Sequence, residues 1–322
     1  MPVVKLNERS LTVAKRLIND SAALGVDVQT LPGGALLIDA GISVPGSLEA
    51  GRLMAEACLG GLGQVGFCEI PGDVPLMGVQ VSVSLPKLAC MASQYAGWAV
   101  SLKGTDGKSD FFAMGSGPAR VLRGREALLT EIDHQEPPDC AVLILESRNA
   151  PTAEVAAMVA EACGVDQSRL VLIVAPTASL AGSVQIAART VETGMHKLHE
   201  LGFPLDAVLA GFGICPVAPV AMDDLKAIGR TNDAVLYGAK AWYTVNCLDD
   251  DLRDIVEKVP SLASRDYGTS FYELFKRYNG DFYKIDPMLF SPAWVSFTNV
   301  TTGGSFMAGE IHSKLLLSSF GL

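Results

Sequence analysis

The chain has 322 residues, of which 49% are hydrophobic and 19% charged, and its formal net charge is −10. This length suits about two domains with a core in each, and the composition excludes a disordered chain. The acidic balance argues against a nucleic-acid surface, which needs clustered Lys and Arg. The seven cysteines are scattered without a C-x-x-C pair, which favours reduced thiols in a cytoplasmic protein over a disulfide framework or a structural zinc site.

The amino-terminal segment predicts an amphipathic helix and not a signal peptide, because it has no apolar core segment. An uncharged run at residues 170–188 has the length of a membrane span, but it contains Pro176, Ser179 and Gln185. A strand followed by a helix explains this run better. We therefore expect a soluble cytoplasmic protein without a membrane partner.

In chain order, strands and helices alternate, which is typical of an α/β fold. Buried or half-buried strands are predicted at 36–38, 59–70, 71–85, 111–114, 140–146, 170–174 and 207–220. Helices are predicted at 1–17, 48–59 and 153–163 and in the segment that follows Gly182 up to Leu201. Residues 223–245 are predicted to form a helix, a break at Gly229, and then a further helix or a strand.

A polar stretch with two prolines, residues 130–139, is the predicted linker. It divides the chain into an N-terminal α/β domain (1–130) and a C-terminal α/β domain (131–322), whose last segment can return to the first domain. The segments 46–57 and 182–193 share Gly-Ser and a later Arg and Glu. Either they are an internal duplication, or two βα units simply look alike. A duplication gives two similar α/β domains that enclose a deep pocket.

The segment after Gly182 carries two stripes at helical spacing. Residues 184, 188, 191, 195 and 198 are apolar and typical of a core-facing surface. Gln185, Arg189, Glu192 and His196 form the second stripe, so that Arg189 and Glu192 are neighbours on one surface. They are either a solvated ion pair or a functional pair. Small apolar neighbours favour the functional interpretation, although spacing alone leaves both open.

Two turns rich in Gly and Ser are candidate anion sites, because amides at the start of a helix bind anions. The first is Gly115–Arg120, which places Arg120 in a first helical turn. A plain tight turn explains it equally well, and it is neither a P-loop nor a dinucleotide fingerprint. The second is Thr177–Ser183, between a predicted strand and helix.

Other catalytic constellations find less support. His196 and His199 with Glu192 are considered as metal ligands, but no further ligand cluster supports a metal site. The chain has no G-x-S-x-G elbow, and four histidines give few candidates for a Ser-His-Asp site. Chemistry that uses a carboxylate and an Arg is the better hypothesis. The aromatic-rich segments 264–278 and 281–297 form either core or a surface that closes over a planar ligand.

Longer motifs, in the same order over nearly the whole chain, resemble the methenyltetrahydromethanopterin cyclohydrolase family. They are LIDAGISVPGSLEAG, SQYAGW, FFAMGSGPAR, VAPTASLAGSVQIAARTVET, the loop 215–219, DDLKAIGRTNDAVLYG, SRDYGTSFYELF and DFYKIDPMLFSPA. The resemblance implies a cytoplasmic, cofactor-free hydrolase of one-carbon metabolism. It also implies two α/β domains around a deep pocket and a homotrimer. The chain departs from the family pattern at Tyr95, where relatives often carry Lys.

The resemblance places the family's catalytic Arg-x-x-Glu on Arg189 and Glu192. The reaction that it implies is the reversible hydrolysis of N5,N10-methenyl-tetrahydromethanopterin to the N5-formyl compound. The tail of this carrier is anionic, so Gly/Ser/Arg turns are expected to bind it. From motif matches and local chemistry, the predicted substrate-binding residues are Gln94, Ser116, Gly117, Arg120, Thr177, Ser183, Gln185, Arg265 and Asp266.

The chemistry of such a substrate fits the Arg and Glu pair. A cyclic amidinium carbon is already electrophilic, so that the protein has to place a water and remove its proton. Glu192 is the expected general base, and Arg189 is expected to orient it. The neighbouring Arg lowers the pKa of this carboxyl by about 1–3 units, whereas burial raises it by about 3–5 units.

Two alternative functions remain open. One is a non-catalytic protein that binds a pterin or a phosphate, and the other is a nicotinamide-dependent methylene-pterin dehydrogenase. The absence of G-x-G-x-x-G followed by an acidic residue argues against the dehydrogenase. A methanogenic and a formaldehyde-oxidising host are equally consistent with the sequence.

Overall fold

The structure is a computed structural model that describes residues 3–103, 109–280 and 284–322. Within these residues the chain forms two compact units. Unit 1 consists of Met1–Gly63 and Leu88–Gln185, and unit 2 consists of Gln64–Lys87 and Ile186–Leu322. Each unit combines a six-stranded mixed sheet with helices. The predicted α/β class with two domains is confirmed.

The strands in the described residues are β1 (Asp27–Thr30), β2 (Leu36–Asp39), β3 (Gly63–Ile70), β4 (Leu76–Val83), β5 (Trp98–Lys103), β6 (Ser109–Ser116), β7 (Ala141–Glu146), β8 (Leu170–Ala175), β9 (Val208–Pro216), β10 (Lys240–Val245), β11 (Trp294–Asn299) and β12 (Ser305–Gly309). The α-helices are α1 (Leu6–Asn19), α2 (Ser21–Leu24), α3 (Leu48–Cys58), α4 (Ala119–Arg123), α5 (Ala127–Ile132), α6 (Ala153–Cys163), α7 (Leu180–Ala187), α8 (Thr190–Glu200), α9 (Asp224–Gly238), α10 (Asp249–Ile255), α11 (Phe271–Arg277) and α12 (Ser313–Phe320). A π-helix spans Lys87–Gln94.

The sheet of unit 1 has the order β1-β2-β8-β7-β6-β5. Strands β2, β8 and β7 are parallel neighbours, whereas β1, β6 and β5 join antiparallel at the two sides. The sequences AVLILE and LVLIVA of β7 and β8 are almost wholly apolar, as expected of central parallel strands that are buried on both faces.

Alternation along these central strands divides the core of unit 1 into two clusters. Leu143, Leu172 and their same-face neighbours pack with α6, whereas Ile144, Ile173 and theirs pack with α1 and α3. The sheet is therefore covered on both faces, because successive side chains of a strand point to opposite sides.

Caps explain why two helices of unit 1 begin and end where the sequence predicts. The Ser47 side chain accepts a hydrogen bond from the Ala50 amide at the start of α3, and Thr152 does the same for Val155 at the start of α6. α6 ends at Gly164, whose φ of +66° is a left-handed conformation that favours glycine.

The sheet of unit 2 has the order β12-β11-β10-β9-β4-β3. β10 and β11 are parallel, whereas β12, β9 and β4 pair antiparallel with their neighbours β11, β10 and β9. The aromatic-rich segments lie mainly in the packing of this unit. Phe271 contacts Phe275 and Phe290, and Tyr243 stacks on Phe297. Residues 281–283 of the second aromatic segment lie outside the described residues.

The domain division differs from the predicted boundary at residue 130. The chain changes units after residues 63, 87 and 185, and the carboxyl-terminal segment stays in unit 2. The predicted linker 130–139 lies inside unit 1 and holds α1, because the Glu136 carboxylate accepts hydrogen bonds from the amide and the side chain of Asn7. Burial, with Asn7 opposing it, raises the pKa of Glu136.

Of the two interpretations of segments 46–57 and 182–193, the structure favours two βα units that look alike over a duplication into two lobes. β2 with α3 and β8 with α7 are side by side in unit 1, because β2 and β8 are parallel neighbours of one sheet. The predicted break at Gly229 is wrong, since α9 is continuous from Asp224 to Gly238. A Cβ on Gly229 would lie 2.9 Å from that of Tyr272, so this glycine serves the packing of α11 on α9.

Candidate active site

The helix that carries the Arg and Glu pair is interrupted just before it. α7 ends at Ala187 and α8 begins at Thr190, with Arg189 as its N-cap residue at φ −86° and ψ 4°. The Thr190 hydroxyl donates to the Ala187 carbonyl over 3.0 Å at the break. The prediction of one continuous helix is therefore wrong, although neither Gly nor Pro marks the break in the sequence.

The interruption places Glu192 in the first turn of α8. A carboxylate is stabilised there by the positive end of the helix dipole. Arg189 Nη1 and Glu192 Oε2 are 3.8 Å apart, and their side chains are 12% and 7% exposed. This separation is an ion-pair distance and is longer than a direct hydrogen bond. The two residues are brought together, and their burial is unlike that of a solvated surface pair.

Small residues hold the first turn of α8 against the sheet of unit 2. A Cβ on Gly211 would lie 2.5 Å from Val191, and one on Gly213 would lie 2.9 Å from Thr190. The buried Tyr243 of β10 donates its hydroxyl proton to the Val191 carbonyl over 3.0 Å. α8 therefore approaches β9 closely, and these contacts fix the helix at the residues next to Glu192. The sequence patterns did not predict these contacts.

A second attachment of α8 involves the fully buried Lys197, which donates to the Met288 carbonyl. Burial lowers the pKa of Lys197 to about 8, against a smaller opposite effect of Asp286. The bond ties α8 to the turn at 286–289. This turn is also held by Asp266, which accepts hydrogen bonds from the Asp286 amide (2.9 Å) and the Tyr278 hydroxyl (3.1 Å).

The predicted substrate residues Asp266 and Arg265 have different surroundings. Asp266 is 8% exposed and braces two loops. The Arg265 side chain is exposed, while its amide donates to Asp286 over 3.1 Å. Of the two, only Arg265 presents its side chain at the surface.

In unit 1, the turn Thr177–Ser183 follows the carboxyl end of β8. In a sheet with parallel strands, ligands bind beyond these carboxyl ends. The Thr177 hydroxyl donates to Glu146 at the end of β7, and Ser179 Oγ accepts the Gly182 amide over 3.0 Å. Thr177 and Ser183 are buried here, and so is Gln185, two residues further along α7.

Two acidic residues at this carboxyl edge were not predicted as site residues from the sequence. Glu146 ends β7 and Asp39 ends β2. The apolar run before each of them is the sequence signal that could have identified them. Burial raises the pKa of Asp39, but bonds from the Ser43 hydroxyl and the amides of Gly41, Ile42 and Ser43 together lower it. Asp39 thereby shapes a turn in which a Cβ on Gly41 would lie 2.8 Å from the Cβ of Ser179.

Arg120 is engaged with the protein itself. Its side chain is fully buried, and Nη1 donates to the carbonyls of Ala92 and Ser93 over 3.1 Å and of Met91 over 3.3 Å. Its other nitrogens bind Glu126. This guanidinium therefore caps the carboxyl end of the π-helix, and the geometry favours a structural role over contact with an anion.

The other residues of the turn Gly115–Arg120 lie near the end of the same π-helix. The Gly117 amide donates to the Ser93 carbonyl over 2.8 Å, and the Arg120 amide donates to the Gly117 carbonyl over 3.3 Å. These two amides are therefore paired within the protein, which argues against their use in binding an anion. The buried Ser116 Oγ and Cys58 Sγ are 3.2 Å apart, and the Cys58 thiol donates to the Gln94 carbonyl over 3.9 Å.

The two predicted anion turns lie toward opposite ends of β7. Ser116 pairs with Ile144, and a Cβ on Gly117 would lie 3.2 Å from the Val142 carbonyl, near the start of the strand. Thr177 binds Glu146 at the end of the strand. The two turns therefore do not form one cradle within unit 1.

The described parts of the chain contain no group of three or more His, Cys, Asp or Glu side chains arranged to hold a metal ion. The His196 and His199 rings lie 3.6 Å and 3.9 Å from the Glu200 carboxylate. No helix of these parts has the length and hydropathy needed to cross a membrane.

Similarity to known proteins covers nearly the whole chain. The family model described as "Cyclohydrolase (MCH)" matches residues 5–320. The chain belongs to this family. It is 46% identical over 318 residues to the methenyltetrahydromethanopterin cyclohydrolase of Methylobacillus flagellatus, covering 98% of this chain and 95% of the relative.

Relatives from methanogens match the cyclohydrolase chain over a similar length. Identity to the methenyltetrahydromethanopterin cyclohydrolase of Methanothermobacter marburgensis is 42%, with 99% of this chain and 100% of the relative covered. For the protein of the same name from Methanococcoides burtonii it is 38%, with 99% of both chains covered. The resemblance identified from the sequence motifs is confirmed.

Proposed function

We propose that this protein catalyses the reversible hydrolysis of N5,N10-methenyl-tetrahydromethanopterin to the N5-formyl compound, with Glu192 as the general base and Arg189 as its partner. The observation that carries this proposal is the buried Arg189–Glu192 pair at the first turn of α8, in a chain that matches cyclohydrolases over residues 5–320.

The reaction asks for little more than a positioned base. Water attacks the electrophilic methenyl carbon while the Glu192 carboxylate removes its proton. The tetrahedral intermediate collapses as its hydroxyl becomes the formyl C=O. The C–N10 bond breaks, N10 gains a proton, and N5 keeps the formyl group. Arg189 orients the carboxylate, and the rigid seat of α8 on β9 holds this geometry.

Substrate contacts are proposed for five of the residues predicted from the sequence, namely Gln94, Thr177, Ser183, Gln185 and Arg265. Thr177, Ser183 and Gln185 lie at or after the carboxyl end of β8, and Gln94 ends the π-helix. Arg265 is the exposed cation among the predicted contacts. Ser116, Gly117, Arg120 and Asp266 act on the site through the segments that they hold. The homotrimer remains a prediction.

The test follows the loss of methenyl absorbance with chelator-treated protein and no nicotinamide. We expect turnover by the wild type, and a fall of kcat by about 10²–10⁴ in Glu192→Gln, the usual contribution of a general base. Thr193→Val, an adjacent change in the same helix turn, serves as the matched control and keeps kcat within about threefold.

Each alternative predicts a distinct result of this assay. Tight substrate binding without turnover in the wild type supports a non-catalytic pterin-binding protein. Turnover only after nicotinamide is added supports a dehydrogenase. Near-wild-type turnover by Glu192→Gln leaves the hydrolysis in place and removes Glu192 from the role of base.

A further inference from the structure

Unit 2 contains a cavity of about 590 Å³ between α9, α12 and the start of α11. This volume is in the range of small-molecule sites. The lining includes the cationic side chains Lys226, Arg230 and Lys314 together with His312. Neither Asp nor Glu is among the described residues that line it. Arg189 and Glu192 are not part of this lining either, so the cavity is a feature separate from the proposed catalytic pair.

The three cations of the cavity keep their charge available. Lys226 and Arg230 are one turn apart on α9, and Lys314 is in the first turn of α12. Arg230 donates to the carbonyls of Ser319 (3.1 Å) and Pro219 (3.3 Å), neutral acceptors that hold the guanidinium without cancelling its charge. In the described parts of the chain, Lys226 and Lys314 form no ion pair.

This concentration of positive charge stands out in a chain with 25 basic and 35 acidic residues. Cations gathered in a concave site attract anions, because the walls of low dielectric focus their field. Carboxyl groups of two described residues bond to the lining or beside it. Asp223 accepts a hydrogen bond from the Lys226 amide over 2.8 Å, and Asp233 accepts two, from the Ser319 hydroxyl over 2.6 Å and from the Phe271 amide. Burial raises the pKa of Asp233 to about 7, against the effect of these two bonds.

Neutral groups of the cavity add contact surface for the rest of a ligand whose anionic group binds the cations. Tyr272 and Leu315 add an aromatic and an aliphatic wall, and Ser318 adds a hydroxyl. His312 Nδ1 accepts the Leu315 amide over 3.3 Å, so that a neutral ring carries its proton on Nε2. We propose that this cavity is a binding site for an organic anion that carries phosphate or carboxylate groups.

The test measures pyrophosphate binding to the full chain by calorimetry at low ionic strength, where screening is least. The variant is Lys226→Gln/Lys314→Gln, since both side chains are exposed and removing them leaves the bonds of Arg230 in place. The matched control is Lys240→Gln/Lys258→Gln, which removes the same charge at exposed positions outside the lining. We expect saturable binding by the wild type and the control, weakened on the order of tenfold in the variant.

Absence of saturable binding to the wild type, or equal weakening in both double variants, overturns the proposal. KM for the methenyl substrate identifies the source of the anion. A rise confined to Lys226→Gln/Lys314→Gln means that the anion is part of the substrate, whereas an unchanged KM means a separate small molecule. The calorimetric result does not depend on turnover, so failure of the proposed function is recognised independently in the Glu192→Gln assay.

Discussion

Glu192 and Asp233 are both buried carboxyl groups of unit 2, and their partners differ in charge. Glu192 faces the Arg189 guanidinium across 3.8 Å at the start of a helix. Asp233 accepts hydrogen bonds from two neutral donors, the Phe271 amide and the Ser319 hydroxyl. Burial therefore dominates at Asp233 and raises its pKa from 3.8 to about 7.

The raised pKa of Asp233 predicts a pH dependence of stability. Between pH values near 4 and 7 the folded chain keeps a proton here that the unfolded chain has lost. This contribution to the free energy of unfolding is complete below the unfolded pKa and is lost as pH rises through the folded pKa. Relative to Asp233→Asn, wild-type stability should fall by up to about 1.4 kcal/mol per pH unit in this window, as measured by urea unfolding. Parallel pH profiles of the two proteins would contradict the assignment.

The clamp formed by Arg120 predicts a large effect on stability. Arg120→Met keeps much of the side-chain volume but leaves three carbonyls and the Glu126 carboxylate without their donor. We expect the free energy of unfolding to fall by about 3–5 kcal/mol, the usual result of breaking a buried charge pair. Arg125→Met, a change at an exposed neighbour, should stay within about 0.5 kcal/mol. Similar unfolding midpoints for the two variants in urea would reject the clamp.

At the scale of elements, α3 and α7 are packed closely within unit 1. A Cβ on Gly51 would lie 2.7 Å from the Cβ of Val184 and 2.8 Å from the Cα of Ala181. The two helices follow the parallel neighbours β2 and β8, so their spacing is set by the sheet. A glycine in the middle of α3 therefore serves contact between helices at the expense of helix propensity.

Because of this packing, the sign of the change in the free energy of unfolding in Gly51→Ala distinguishes two effects. Helix propensity alone predicts a gain of about 1 kcal/mol, whereas overpacking predicts a loss of about 1–3 kcal/mol. We expect a net loss in urea unfolding, because the contact includes backbone atoms of α7. Gly72→Ala is the control, since its Cβ would meet only the Val74 carbonyl at 3.6 Å. Stabilisation by Gly51→Ala would show that α7 moves away at little cost.

At the scale of the whole molecule, the two units are interleaved in the chain. The fragment 1–130 contains β2 and β6 but lacks β7 and β8, which lie between them in the sheet of unit 1. It also contains β3 and β4 without β9. We expect this fragment to lack the cooperative unfolding of a domain when it is purified alone and followed by circular dichroism. Recovery of structure on co-expression with 131–322 is the control. A cooperative transition of the isolated fragment would restore the predicted boundary.

The sequence by itself determined the elements whose signals are local. The apolar runs of β7 and β8 and the helix at 153–163 each depend on neighbours within a few turns, and these predictions are confirmed. The Arg-x-x-Glu spacing brought Arg189 and Glu192 together because a helical turn fixes that distance. The order of the longer motifs was sufficient for the family.

Only the tertiary structure decided what depends on residues far apart in the chain. The break before α8, the engagement of Arg120 by the π-helix and the assignment of segment 130–139 to unit 1 come from contacts that no local period encodes. A guanidinium in a Gly-Ser-Gly turn looks the same in sequence whether an anion or a backbone carbonyl accepts its protons. Burial and the acceptors of a distant segment decide between the two, and these exist only once the chain has folded.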